Sequence, residues 1–162
     1  MNVGGIGKLP MEELRRICAD CGFENVTTYI ARGNIALSRA LDLRAIARKL
    51  SAALEIYVGK PVGVFVRSHT ELSEIALATP FVEIAGNKVT AVFVDDDPQA
   101  SIDVGIKGQT DEAIFPGAGV IYVHYPNGMS TSKLKLIGAA QGTARNMNST
   151  SKMVALTAFA FR

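Results

Sequence analysis

Two stretches of this sequence carry residues suited to binding an anion. In residues 143–149, Arg145 and Asn146 place a guanidinium and an amide side by side. These groups bind planar or phosphate-bearing ligands through paired hydrogen bonds. In the N-terminal stretch, Gly4, Gly5 and Lys8 precede a predicted helix, and consecutive glycine N–H groups near a helix N-terminus hold anions. We predict that both stretches converge on one anion site.

The distribution of charge adds a further cation, Lys133, to this predicted site. Five of the 17 Lys and Arg residues lie in residues 113–162, whereas none of the 15 Asp and Glu residues does. An acid-free segment favours an anionic partner, either a small phosphate-bearing ligand or a nucleic acid. Aromatic residues make up only 7% of the chain, which argues against stacking on single-stranded bases. A small anion is therefore the preferred ligand, and nucleic acid stays open.

Each of these groups also has a purely structural interpretation. Arg145 would then satisfy backbone carbonyls at a helix end, with Asn146 bridging the turn. The N-terminal glycines would form a tight strand-to-helix connection. The basic residues would form a solvated face without a partner.

No catalytic group is predicted, so the sequence leaves enzyme activity undecided. Gly5-Ile6-Gly7-Lys8 resembles the end of a nucleotide-binding loop, but Leu9 stands where a magnesium-binding Ser or Thr is required. No Ser or Cys lies in a nucleophile motif. A binding module without catalytic activity is the preferred function, and a small enzyme with an unidentified catalytic group is an alternative.

Neither a metal nor a cofactor is predicted. Cys18 and Cys21 form a CxxC pair, but they lie at the C-terminal end of a predicted helix, where the helix dipole does not stabilise a thiolate. We expect both thiols to be reduced, buried and free of metal. Residues 95–97 are three consecutive aspartates, and a strand end followed by a helix cap explains them better than a cation site does.

The elements that position these residues follow from apolar periodicity and from turn residues. Predicted helices begin at Pro10, after Asp42, near Ser68, at Asp97-Pro98, at residues 130–132 and at residue 148 or 149. Predicted strands are residues 26–30 resuming at 35–37, then 61–66, 89–94, 112–115 and 120–125. Arg145 and Asn146 fall in the connection between the last two helices.

This order of elements predicts an α+β fold in which mixed β-sheets are layered with helices. We expect one compact domain over residues 1–162. Two small ferredoxin-like subdomains packed together, 1–82 and 83–162, are the alternative division. No apolar run reaches the length of a transmembrane helix, and the N-terminus lacks the features of a signal peptide, which favours a cytoplasmic location.

Several short motifs, in the same order, resemble the bacterial family catalogued as domain of unknown function 1697. They are Asn2-Val3-Gly4-Gly5, Tyr29 with Gly33-Asn34, Thr79-Pro80-Phe81, residues 120–128, Ser132-Lys133-Leu134 and Thr143-Ala144-Arg145-Asn146. The resemblance implies a compact α+β fold and no assigned activity. On this basis Asn34 joins the predicted ligand-binding residues.

The resemblance also concerns the start of the chain. Proteins of this family usually begin with a strand and an Arg-Gly pair before Asn-Val-Gly-Gly, whereas this sequence begins at Met1. We therefore expect Met1 to be an internal residue used as a start. A sheet edge near residues 26–30 would then be unpaired or filled by a partner chain, which would make the protein a homo-oligomer.

Overall fold

The computed structural model describes residues 9–29, 33–38 and 42–159, so the predictions for Gly4, Gly5 and Lys8 lie outside the described residues. The chain divides into two compact units. Unit 1 comprises Met1–His69 and Met153–Arg162, and unit 2 comprises Thr70–Lys152. The single domain over residues 1–162, like the division at 82/83, stays a prediction.

Unit 1 combines two helices with a β-hairpin. Its elements are α1 (Met11–Asp20), β1 (Glu24–Tyr29), β2 (Asn34–Ser38) and α2 (Leu43–Val58). The two strands pair antiparallel. Asp42 caps α2 as predicted, because its carboxylate accepts a hydrogen bond of 2.8 Å from the N–H of Ala45.

Apolar side chains from α1 and α2 form the core of unit 1. The buried members are Leu14, Ile17, Cys18, Leu50, Leu54 and Val62. Val62 lies in the segment predicted as a strand, but residues 61–66 are not in a β-ladder. Its run of apolar residues reflects packing in the core, which does not require strand pairing. Cys18 is buried as predicted, whereas Cys21 is only half-buried, and both are free thiols.

Unit 2 contains the larger sheet. α3 (His69–Leu77) leads into it, and the elements that follow are β3 (Val89–Phe93), α4 (Pro98–Asp103), β4 (Ile106–Lys107), β5 (Ala113–Pro116), β6 (Val120–His124), β7 (Lys135–Leu136), β8 (Thr143–Asn146) and α5 (Met147–Phe159). Four of the strands form a sheet in the order β5-β6-β3-β8, and β4 pairs with β7. Every residue of β3 is buried.

The α+β class is confirmed, but all described strand pairs are antiparallel, so the expectation of mixed sheets is wrong. β3 and β5 are joined by a crossover through α4, which would favour a parallel pair. The β5–β6 hairpin instead places β6 between them. Along the chain, a strand is followed by a helix, two strands, a connection and a last strand, which is the order of a ferredoxin-like unit. In this protein, 3-10 turns and β7 take the place of the second helix of such a unit.

The structure corrects two predictions in the C-terminal part. Residues 130–140 contain two 3-10 turns and β7 instead of a helix, and residues 143–146 are strand β8 instead of a connection. Close backbone contacts explain both differences. A Cβ atom on Gly138 would lie 2.2 Å from the carbonyl oxygen of Ser101, and one on Gly142 would lie 2.6 Å from that of Phe93. Tertiary pairing therefore overrides the local helix signals.

No helix in the described part of the chain has both the length and the apolar character needed to cross a membrane.

Candidate ligand-binding site

A cavity of about 300 Å³ opens in unit 2 where three loops meet. Its lining comes from residues 108–112, which follow β4, from residues 125–128 after β6, and from residues 131–133 before β7. Cavities of roughly 300 Å³ and above are typical of small-molecule sites. All of these residues belong to unit 2.

Glu112 joins two of the three loops. Its side chain is buried, with 6% of the residue exposed. One carboxylate oxygen accepts a hydrogen bond from the hydroxyl of Ser132. The other accepts a bond of 2.8 Å from the Thr110 N–H. Because Thr110 and Ser132 lie on different loops, the carboxylate links these loops and fixes the shape of the cavity wall.

A glycine brings the same two loops into backbone contact. Gly108 has φ +69°, and a Cβ atom there would lie 2.2 Å from the carbonyl oxygen of Lys133. Ser132 orders the following turn, since its oxygen also accepts a hydrogen bond of 3.1 Å from the N–H of Leu134. Lys133 is therefore held at the cavity, because Gly108 contacts its backbone and the preceding Ser132 is fixed by hydrogen bonds.

The hydrogen bonds to Glu112 hold its carboxylate in the ionised form. The bond from Ser132 is the largest cause, followed by the bond from the Thr110 N–H, and together they lower the pKa of Glu112 from 4.5 to about 2. A general base works best when its pKa lies near the working pH. Glu112 is thus a poor base for activating the Ser132 hydroxyl, and the pair serves to position the loops.

Asp111 presents a second carboxylate to the cavity. Its oxygens accept a hydrogen bond of 2.5 Å from the amide of Asn127 and one of 3.2 Å from the Thr110 hydroxyl. Both donors are neutral, so they orient the carboxylate and leave its charge uncompensated. Asp111 is exposed, in contrast to the neighbouring Glu112.

Tyr125 and Lys133 supply the hydrogen-bond donors of the cavity. Burial, with a further contribution from the charge of Glu112, raises the pKa of the Tyr125 hydroxyl. This hydroxyl makes no hydrogen bond to a described residue, although every fully buried polar side-chain atom described has a partner. Tyr125 is itself among the residues that line the cavity. Lys133 is exposed and forms no ion pair with any residue in the described ranges.

The structure places the predicted site residues in different surroundings. Lys133 lines the cavity, whereas Arg145 and Asn146 lie in β8, at the opposite edge of the sheet from β5. Asn34 lies in unit 1, where its amide donates to the Tyr29 carbonyl across the β1–β2 hairpin. Among the predicted residues that the structure describes, only Lys133 contributes to this cavity.

Arg145 and Asn146 have structural roles in β8. Arg145 is buried, and one of its terminal nitrogens donates to the Thr143 hydroxyl and to the Ala144 carbonyl, both at 2.8 Å. The side-chain oxygen of Asn146 accepts a bond of 2.9 Å from the N–H of Ser149. Asn146 therefore caps α5, a position predicted for residue 148 or 149.

Apart from Lys133, the residues that line the cavity were not predicted as site residues, and Asp111, Glu112, Tyr125 and Ser132 are among them. Glu112 begins a predicted strand, and Ser132 resembles a helix cap, so local patterns explain both without a ligand. The usable signal was the resemblance, because two of its motifs, residues 120–128 and Ser132-Lys133-Leu134, contribute to the lining. Across the described residues, no cluster of three or more His, Cys, Asp or Glu is placed to hold a metal ion.

The sequence matches a known protein family. A model of the family described as "Protein of unknown function (DUF1697)" matches residues 1–122. The chain belongs to this family. The matched region includes the lining residues Gly108, Thr110, Asp111 and Glu112, and the remaining cavity residues lie beyond it. No curated protein matches the sequence.

The DUF1697 chain also has a structural neighbour, described as a conserved bacterial protein from Streptococcus pneumoniae. The two share 21% sequence identity with a TM-score of 0.78, and the match covers 98% of this chain and 93% of the other. At this identity the match establishes a shared fold.

Proposed function

We propose that this chain is a non-catalytic binding module for a small ligand with an anionic, phosphate-type group, and that the cavity of unit 2 is its site. The observation that carries the proposal is the position of Lys133. It lines a cavity of about 300 Å³ and forms no ion pair with a described residue. A cation that lines a cavity and forms no ion pair with a described residue can bind the anionic group of a ligand.

A second donor lies in the same cavity. Tyr125 lines the cavity, and its hydroxyl, which is protonated at neutral pH and whose pKa is raised further, can donate to an acceptor. Hydrogen bonds to a charged group each contribute about 1.5–3 kcal/mol. Two such bonds support modest affinity, which suits a small metabolite or an effector better than a tightly bound cofactor.

The non-catalytic part of the proposal rests on Glu112. A carboxylate whose pKa is about 2 is too weak a base to activate Ser132 at neutral pH. Both of its oxygens already accept hydrogen bonds from the protein. No specific observation favours nucleic acid over a small anion, since Arg145 is buried.

The test uses two lysines of the same segment. Isothermal titration calorimetry with 3-hydroxypropyl phosphate compares the unsubstituted protein with Lys133→Met and with Lys135→Met. Both lysines are exposed, but only Lys133 lines the cavity. We expect Lys133→Met to weaken binding by about tenfold or more, as for the loss of one charge-assisted bond, and Lys135→Met to change it by less than about twofold. Equal loss in both variants would contradict the proposed site, and so would the failure of every short-chain alkyl phosphate to bind.

A further inference from the structure

We infer that the ligand of this cavity carries an ammonium group as well as its anionic group, and that Asp111 is the partner of the ammonium. This inference rests on the proposed function, because it concerns the same cavity. It adds the chemical class of the ligand, a zwitterion whose two charges lie at opposite ends of a short chain.

The first argument is the arrangement of charges around the cavity. Asp111 and Lys133 both line it, yet they do not form an ion pair with each other. Opposite charges on one small cavity would gain Coulomb energy by meeting if their loops allowed it. The Asp111 carboxylate instead accepts hydrogen bonds from Asn127 and Thr110, so the charges of Asp111 and Lys133 are both available to a ligand.

The loops that hold them are well fixed. Asp111 is oriented by the Asn127 amide and the Thr110 hydroxyl, at 2.5 and 3.2 Å. Lys133 follows Ser132, which is bound by Glu112, and its backbone contacts Gly108. Loops that are already ordered in this way cost a ligand little reorganisation when it binds.

The second argument is the difference between the two acids. Glu112 is buried, and its oxygens already accept hydrogen bonds from Ser132 and Thr110. Asp111 is exposed, and its donors are neutral. An ammonium group entering the cavity can therefore reach Asp111, while the charge of Glu112 adds to the attraction.

The third argument concerns the ligands that the cavity would reject. Its charged lining consists of two carboxylates and one ammonium. A phosphate dianion without a positive group meets Lys133 but is repelled by both carboxylates. The ammonium group of a zwitterionic ligand would instead be attracted by the two carboxylates. The resulting difference in affinity between the two kinds of ligand gives the site its specificity.

The experiment compares two probes of equal length, 3-aminopropyl phosphate and 3-hydroxypropyl phosphate, by calorimetry at neutral pH. The four- and five-carbon pairs cover other distances between the charges. We expect the unsubstituted protein to bind the best amino compound at least about tenfold more tightly than its hydroxy partner. Asp111→Asn keeps a side-chain oxygen for Asn127 and should reduce this preference to less than about twofold.

The outcomes separate the two proposals. If the hydroxy compounds bind as tightly as the amino compounds, and binding depends on Lys133, the proposed function stands and the zwitterion is wrong. If neither series binds, both are wrong. If Asp111→Asn retains the preference for the amino compound, Asp111 is not the partner. Melting curves of the unsubstituted protein and Asp111→Asn verify that both are folded.

Discussion

Among single residues, Glu112 has the greatest influence on the cavity although it offers little to a ligand. Its carboxylate receives hydrogen bonds from residues on two loops, Thr110 and Ser132. These loops carry Asp111 and Lys133, which face the cavity with opposite charges. The distance between those charges therefore depends on a buried group that contacts neither of them through a hydrogen bond.

Glu112→Gln should lower the melting temperature at neutral pH, because an amide is a weaker acceptor than a carboxylate. The folded protein lowers the pKa of Glu112 from 4.5 to about 2, so this carboxylate stabilises the fold above pH 4.5. That stabilisation is lost as the pH falls from 4.5 towards 2, because the unfolded chain takes up the proton first. The difference in melting temperature between the unsubstituted protein and Glu112→Gln should therefore shrink over this range.

The control for this prediction is Asp96→Asn, which removes an exposed carboxylate at the end of β3. We expect it to change the melting temperature little at any pH. A constant difference between Glu112→Gln and the unsubstituted protein from pH 7 to pH 3 would show that the hydrogen bonds do not hold the carboxylate ionised.

Arg145→Ala should destabilise the protein by about 1–3 kcal/mol, because it removes a buried side chain that donates hydrogen bonds to the Thr143 hydroxyl and the Ala144 carbonyl. Lys152→Ala removes an exposed cation from α5 and should change stability by less than about 0.5 kcal/mol. Urea unfolding measures the free energy of unfolding of both variants. Binding of 3-hydroxypropyl phosphate should be the same in the folded Arg145→Ala variant as in the unsubstituted protein. Weaker binding by this variant would show that Arg145 contributes to the ligand site.

The two thiols should differ in reactivity. Burial raises the pKa of the Cys18 thiol to about 11, and it raises that of Cys21 as well. Cys18 is fully buried in the core of unit 1, whereas Cys21 is half-buried. We expect iodoacetamide at pH 8 to label Cys21 slowly and Cys18 only after unfolding. Mass spectrometry of the native protein, with Cys21→Ser as the control, measures the order in which the two thiols are labelled. Equally rapid labelling of Cys18 and Cys21 would contradict the prediction.

Among the elements, the short strands β4 and β7 set the geometry of the cavity. They pair antiparallel, with Ile106 opposite Leu136 and Lys107 opposite Lys135. Gly108 follows β4, and the Ser132-Lys133 segment precedes β7, so the pairing brings the two loops together. The close contact of Gly108 with the Lys133 carbonyl is a direct result of this arrangement.

Gly108→Ala should therefore disturb the cavity as well as the fold. A positive φ costs an alanine about 1–2 kcal/mol, and the new Cβ would also displace the Lys133 backbone. Gly59→Ala is the matched control, since Gly59 has φ +82° and no atom lies within 4 Å of its Cβ position. We expect similar backbone strain in both variants, but weaker binding of 3-hydroxypropyl phosphate in Gly108→Ala alone. Calorimetry and urea unfolding on the same samples test this, and unchanged binding in Gly108→Ala would argue against the contact.

The sequence predicted the elements that local patterns determine. The helix after Asp42 and the hairpin of β5 and β6 are confirmed, because a cap, apolar periodicity and a Pro-Gly turn lie within a few residues of each other. Residues 130–146 were predicted incorrectly, because their conformation depends on pairing with β4 and β3, which are distant in sequence. Local helix signals at Ser132 and Gly142 could not reveal those partners.

The site was less predictable than the fold for a related reason. Lys133 stood out because it lies in a segment without acids, but its two acidic neighbours, Asp111 and Glu112, lie just before that segment in sequence. Arg145 stood out for the same reason as Lys133, and the structure buries it. Residue type and local charge do not distinguish a cation that is exposed at a cavity from one that binds its own backbone.

On the scale of the whole chain, folding brings residues from the acidic and the acid-free parts of the sequence together at the cavity of unit 2. The acid-free segment contributes Lys133 to the cavity, and the preceding segment contributes Asp111 and Glu112. Lys135 and Lys152 remain exposed, whereas Arg145 is buried. Folding thus mixes the charges at the cavity, which is why a ligand with charges of both signs suits it.

The division into units also has a consequence for the order of folding during synthesis. Unit 2 is one continuous stretch, Thr70–Lys152, while unit 1 includes Met153–Arg162 in addition to the residues before Thr70. The ribosome therefore completes every strand of the four-stranded sheet before it adds the last segment of unit 1. Protein chains fold during translation as their domains emerge. The contacts between the two segments of unit 1 can therefore form only after all of unit 2 has been synthesised.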